Sequence, residues 1–322
     1  MTKFVVSGYI GFDNFGDEAI ANVLTSWLKS NNAEKVTLIS SNPEKTAKLY
    51  GVNSVGMFKF FKPILESDVL ISGGGSLLQD ITSLKSLVYY LTIIFTALLL
   101  RKKVIIFAQG FTPFRTKIGK ILTKFILKKC HQITVRDSES QKLLSEMQIN
   151  SELICDPAFG IQTNSENHYG VGIQLRSFPT ITNEFLQNLA DEIEKHFKNQ
   201  PINLISLQDN LDMPVINKFA EYLDEKELKY NIWNNLDVKN AIEKISSLEY
   251  LIAMRFHACL IGAKSNVKIL GINYDKKVET LAKQIGFGLT ELDKPNLAKD
   301  IEKIFESKDY EIPEFIFPKI TL

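Results

Sequence analysis

Residues 3–30 read KFVVSGYIGFDNFGDEAIANVLTSWLKS, and their patterning decides the fold. Phe4–Ser7 is a short apolar run with the signature of a strand, and it stops at a glycine. Gly8, Gly11 and Gly16 then make a turn that opens a helix. From Asp17 to Ser30, Ile20, Val23, Leu24, Trp27 and Leu28 recur at helical spacing and give that helix one apolar face. Strand, glycine-rich turn and amphipathic helix together form the unit from which doubly wound parallel sheets are built.

The unit repeats along the chain. In the first half the strand candidates after Phe4–Ser7 are Val36–Ser40, Val69–Ser72, Val104–Ala108, Ile133–Arg136 and Leu153–Cys155. Helical patterns at Lys117–Lys129 and Ser138–Met147 lie between them. Asp156–Tyr169, rich in Pro, Gly, Asn and Ser, interrupts the alternation. It resumes with strands at Val171–Leu175, Ile202–Leu207, Tyr250–Ala253 and Val267–Ile272. Helices are expected at Asn183–Lys198, Met213–Leu223, Val238–Ile245, Lys277–Gln284 and Asn296–Ser307. The expected fold class is α/β, with two doubly wound Rossmann-like domains facing a cleft. Their boundaries are 1–160 (acceptor side), a linker at 161–169, and 170–322 (donor side), the final helix being placed to pack back on the first domain.

The chain's 322 residues suit two domains at roughly 150 residues each. A hydrophobic content of 45% supplies two cores and excludes a disordered chain. Thirty-eight Lys and Arg against 37 Asp and Glu leave a net charge of +1, which argues against a nucleic-acid binder. Cys130, Cys155 and Cys259 are odd in number and far apart, so no disulfide framework is expected. The N-terminus reads as a strand rather than a signal peptide, and a cytoplasmic location is expected. Ser86–Leu100 is uncharged, but its 15 residues fall short of the roughly 17 needed to span a bilayer. A buried helix is one reading. The other is an interfacial helix whose basic end, Arg101-Lys102-Lys103, makes a peripheral membrane contact at the inner face.

Ligands of open α/β sheets bind at the carboxyl ends of strands. After the first strand, Gly16, Asp17 and Glu18 stand at a helix N-terminus. They are either a cap with first-turn acids or groups that meet a sugar hydroxyl. After Val69–Ser72 come Gly73, Gly74 and Gly75, then Gln79 and Asp80; after Val104–Ala108 comes Gln109. Three glycines in a row suit either a tight turn or a close approach of main chain to ligand. In the second half, apolar strands end at Arg176 and at Arg255-Phe256-His257. A guanidinium there is a natural fork for carboxylate or phosphate. His257 is the candidate general acid–base group, whereas His131, His168 and His196 fit structural or solvated positions. No spacing of His, Cys or acids suggests a metal site, and no GxSxG marks a hydrolase.

GYIGFDNFGDEA at 8–19, ISGGGSLLQD at 71–80, AQGFTPF at 108–114, VRDSES at 135–140, CDPAF at 155–159, GIQLR at 172–176, MRFHA at 254–258 and NYDKKV at 273–278 together resemble the polysaccharide pyruvyl transferase family. The resemblance runs nearly end to end and is closest to bacterial members that pyruvylate cell-wall polysaccharide precursors. It implies a GT-B-like fold, phosphoenolpyruvate as donor substrate with no cofactor or metal, and a hexose acceptor, free or lipid-linked. It also implies that Arg176, Arg255, His257 and Lys277 hold the donor. His257 and Asp17 become the catalytic pair, with Gly16, Glu18, Gly73, Gly74, Gly75, Gln79, Asp80 and Gln109 on the acceptor side or in the loops. Phe256 departs from the family's commoner Leu, and the chain is somewhat short. Two alternatives stay open on this architecture: a nucleotide-sugar glycosyltransferase or sugar epimerase, and a non-catalytic carbohydrate-binding relative.

Overall fold

The computed structural model describes residues 2–81, 83–163, 168–293, 295–305 and 309–319. The chain forms two compact units, Met1–Gly160 with Glu314–Leu322, and Ile161–Pro313.

In the first unit the strands are β1 (Lys3–Ser7), β2 (Lys35–Ser40), β3 (Asn53–Gly56), β4 (Val69–Gly73), β5 (Lys103–Gln109), β6 (Gln132–Val135) and β7 (Glu152–Leu153). They form one parallel sheet in the order β3-β2-β1-β4-β5-β6-β7. Between them run α1 (Phe15–Ser30), α2 (Pro43–Tyr50), α3 (Phe61–Glu66), α4 (Leu84–Leu99), α5 (Lys117–Leu127) and α6 (Ser138–Glu146). The interior strands are buried on both faces, and alternate residues feed separate cores. Val5, Leu70 and Ile106 join one cluster with Leu87, Tyr90, Ile94 and Ala97 of α4. Phe4, Val6, Ile71 and Phe107 join the other with Leu24 and Leu28 of α1. The inner half of the Ser86–Leu100 run is therefore core. Among the described residues no helix is long and apolar enough to cross a membrane.

The second unit carries β8 (Val171–Gln174), β9 (Ile202–Ile205), β10 (Tyr230–Trp233), β11 (Tyr250–Ala253), β12 (Lys268–Asn273) and β13 (Gly288–Glu291). These are again parallel, in the order β10-β9-β8-β11-β12-β13. Its helices are α7 (Asn183–Phe197), α8 (Asp209–Glu225), α9 (Val238–Ser246), α10 (Phe256–Lys264), α11 (Lys276–Ile285) and α12 (Leu297–Ile304). Both units thus have the doubly wound α/β architecture.

The final helix belongs to the second unit, where α12 buries Leu297, Ile301 and Ile304 in the core. It is the extended stretch beyond α12 that returns. Phe317 stacks on Trp27 with ring centroids 4.5 Å apart and on Phe107 at 5.8 Å.

Candidate active site

In the second unit, β8 and β11 are neighbours in register, with Gln174 opposite Ala253. The residues just past their carboxyl ends, Arg176 and Arg255, are thereby brought side by side at the edge where parallel sheets bind ligands. Arg255 is nearly buried and Asp212, near the start of α8, is wholly so. The Arg255 Nε donates to Asp212 Oδ2 at 3.0 Å, and Nη2 donates to Oδ1 at 2.5 Å. This is a fork-to-carboxylate pair. Asp212 Oδ2 also accepts from the amides of Leu207 (2.9 Å) and Gln208 (3.0 Å), which ties the pair to the turn before α8. Gln174 completes the support: its Oε1 accepts from the Arg255 amide at 2.9 Å, and its Nε2 donates to Asp212 at 3.3 Å.

Arg176 is held differently. Its guanidinium lies over the Tyr274 ring, 5.9 Å from the centroid, and pairs with no carboxylate among the described residues. Tyr274 directly follows β12 and packs edge-on to Phe178 at 5.2 Å. Burial pushes the Tyr274 phenol up, and the Arg176 charge pulls it partly back. Asp212 thus neutralises Arg255, while Arg176 has no carboxylate against it among the described residues, so one guanidinium charge at these strand ends is left uncompensated.

His257 is the second residue of α10 and half-buried, its ring edge-on to Phe256 with centroids 5.0 Å apart. Arg255 occupies the N-cap and its side chain makes no capping bond, so the first-turn amides of α10 are not capped by it. Lys277 is exposed in the first turn of α11, its amide donating to Asp275 at 2.9 Å. Sequence reasoning missed Asp212, Gln174 and Tyr274. Only Tyr274, an aromatic at a strand end, left a signal there.

In the first unit the cap of α1 is Asn14, whose Oδ1 accepts from Gly16 (3.0 Å) and Asp17 (3.5 Å) amides. Asp17 is half-buried in the first turn and lies against the triple glycine. A Cβ on Gly75, whose φ is +71°, would sit 2.4 Å from Asp17 Oδ1. Burial, reinforced by the Asp17 charge, pushes the Tyr9 phenol up, which places that phenol in the field of the carboxylate. The glycine loop and Asp17 thus form one surface.

Of the residues expected on the acceptor side or in the loops, four build the loops through hydrogen bonds. Glu18 is buried, accepting from the Gly11 amide at 2.6 Å and from the Tyr50 hydroxyl. Burial pushes its carboxyl up, against the pull of those two donors. Gln109 is fully buried and clamps the glycine loop, accepting from Leu77 (3.2 Å) and donating to the Gly74 carbonyl (2.8 Å). Asp80 accepts from the amides of Arg115 (2.7 Å) and Thr116 (2.8 Å) and from the Thr116 hydroxyl (2.5 Å). Burial opposes ionisation of Asp80, but those three donors outweigh it and its carboxyl sits low. Gln79 closes a local turn by accepting from the Ile81 amide at 2.7 Å. Among the described residues no group of three His, Cys, Asp or Glu is placed to hold a metal ion.

A sequence profile described as polysaccharide pyruvyl transferase matches residues 14–276, a span that holds Asp17, the glycine loop, Arg176, Arg255, His257 and Tyr274 and stops one residue short of Lys277. The chain belongs to the polysaccharide pyruvyl transferase family. Membership supports a transferase that acts on a saccharide. No curated protein sequence matches the chain. Solved structures show that this family member shares its fold with nucleotide-sugar enzymes. The UDP-GlcNAc 2-epimerase of Methanocaldococcus jannaschii superposes with a TM-score of 0.66 at 11% identity, covering 96% of this chain and 94% of that one. The Neisseria meningitidis UDP-GlcNAc 2-epimerase, solved with UDP-GlcNAc, gives 0.65 at 10% identity over 94% and 91%. A Rickettsia africae glycosyltransferase gives 0.61 at 14% identity over 95% and 88%. The chain is thus built on the GT-B-like two-unit plan.

Proposed function

We propose that this transferase moves the pyruvyl group of phosphoenolpyruvate onto two hydroxyls of a hexose, forming a cyclic ketal and releasing phosphate. The observation that carries this reading is the pair of guanidiniums at neighbouring strand ends, of which only Arg255 is held by a carboxylate. Phosphoenolpyruvate presents a carboxylate and a phosphate on adjacent groups. Arg176, lacking an acidic partner, and the remaining edge of Arg255 match two such anions. Lys277 adds charge from α11, and the uncapped amides of α10 favour an anionic oxygen.

His257, protonated, delivers its proton to the methylene carbon of the donor, so that C2 becomes electrophilic. A sugar hydroxyl adds at C2 and gives up its proton to a base, a role for which Asp17 has the chemistry. The C2–O bond to phosphate then breaks, and the second hydroxyl closes the ring, its proton leaving with phosphate. General acid–base help of this kind is worth about 10²–10⁴-fold. Gly16 and Gly73–Gly75 let main chain approach the acceptor closely, and the acceptor is a cell-surface saccharide or its lipid-linked precursor. The scheme calls for no metal and no further cofactor.

Phosphate release from phosphoenolpyruvate with a panel of saccharides tests the reaction. In deuterated water the product methyl group should carry one deuteron. His257→Ala should lower kcat by about 10²–10⁴-fold while leaving donor affinity near wild type. Thermal stabilisation by nucleotide sugars, and none by phosphoenolpyruvate, would instead favour the glycosyltransferase or epimerase reading.

A further inference from the structure

We propose that the outward face of α5 docks the protein on an anionic bilayer surface. An ordinary surface helix turns polar residues to solvent. Here Gly119, Thr123, Ile126 and Leu127 face inward, yet Ile118, Ile121 and Phe125 on the other side are 63%, 65% and 55% exposed. At 100° per residue Leu122 joins that outer stripe, and Lys117, Lys120, Lys124 and Lys128 run along one edge of it. Lys129 sits over the Phe125 ring at 4.9 Å. None of these five lysines is paired with an acid among the described residues.

The apolar area extends beyond one helix. Gly119 has no side chain, and a Cβ there would lie 3.1 Å from Leu87, so α5 lies close against α4. On α4 the solvent side shows Val88, Phe95 and Leu99 at four-, seven- and eleven-residue spacings, again one stripe. Such contiguous exposed apolar surface marks an interaction site rather than scattered surface residues.

Charge identifies the occupant. From Ile81 to Arg136 the chain contains eleven Lys and Arg and no Asp or Glu. The two flanking acids are engaged: Asp80 holds the loop at 115–116 and Asp137 caps α6. A second copy of the chain would oppose lysine to lysine. A nucleic-acid site would place hydrogen-bonding groups where this helix shows aliphatic ones. An apolar stripe edged by lysines, whose stems lie along it while their ammoniums reach headgroups, fits an anionic lipid surface. The basic end expected at 101–103 contributes less, because the Lys102 ammonium donates to the Leu65 (2.8 Å) and Ser67 (2.6 Å) carbonyls.

The test is co-sedimentation of the full chain with vesicles of phosphatidylcholine alone or mixed with phosphatidylglycerol. Binding is expected only to the mixed vesicles, and to weaken as salt rises. Each basic residue near the surface is worth roughly fivefold in partitioning, so Lys120→Glu/Lys124→Glu/Lys128→Glu should reduce binding by more than about 100-fold. Ile121→Ser/Phe125→Ser should reduce it by about tenfold or more. All five positions lie on the outer surface, and circular dichroism of each variant checks that the fold is kept. Failure to bind mixed vesicles overturns the proposal. So does binding that survives either set of changes, or a self-association in the absence of lipid that the same changes abolish.

Discussion

Asp212→Ala tests the construction of the donor-side constellation. The carboxylate is wholly buried and meets the Arg255 fork at 3.0 and 2.5 Å. Truncating it leaves a nearly buried guanidinium without its counter-charge. It also strips an acceptor from the amides of Leu207 and Gln208. Removing one partner of a buried pair is destabilising by about 3–5 kcal/mol. For a folding unit of this size, each kcal/mol moves Tm by roughly 2–4 °C, so the midpoint should fall by about 6–20 °C. The control is Asp209→Ala at the start of the same helix, whose carboxylate bonds the Ser206 hydroxyl and the Asn235 amide in a more exposed setting. It should shift Tm far less. Differential scanning calorimetry of the two variants beside the wild type makes the comparison. An Asp212→Ala midpoint within about 2 °C of wild type would refute the claim that this carboxylate holds Arg255.

Arg176→Ala should leave Tm nearly unchanged, since no carboxylate depends on it, yet weaken phosphoenolpyruvate binding by about 10–150-fold in calorimetric titration, the equivalent of about 1.5–3 kcal/mol. Gly75→Ala forces a left-handed residue at about 1–2 kcal/mol and pushes the Asp17 carboxylate aside; turnover with acceptor should fall while donor affinity holds. Glu18 has a raised folded pKa, so the folded state binds its proton more tightly than the unfolded chain does, and stability declines as pH rises from the ordinary carboxylate value through the raised one. Glu18→Gln should flatten that decline in urea denaturation series; equal slopes in both proteins would count against the assignment.

The parallel α/β plan was legible because interior strands are continuous apolar runs. β1, β4, β5, β8, β11 and β12 all stand out this way. The strands that escaped notice, β3 (NSVG), β10 (YNIW) and β13 (GLTE), are all edge strands, half exposed and short, with little apolar signal. Arg176 and Arg255 were readable as arginines that end such runs. Asp212 was not, because it lies 43 residues from Arg255 and resembles any first-turn acid. For Glu18, Asp80 and Gln109 the sequence left the choice between acceptor side and loop open, for the converse reason. Residue type and strand-end position are visible in a sequence, but the direction a side chain takes inside a loop depends on partners 32–36 residues away.

The return of Phe315 and Phe317 to the first unit makes the second an insertion within it, which bears on the order of events during synthesis. Domains generally form as they emerge, N-terminal first. Here the first unit's sheet is translated by residue 153, but the aromatic cover for Trp27 and Phe107 emerges only after the entire second unit. At 5–20 residues per second, those roughly 150 intervening residues leave Trp27 and Phe107 without that cover for about 8–30 s on the ribosome. The nascent first unit therefore waits in an unfinished state, a window in which a chaperone that recognises exposed aromatic surface has its substrate.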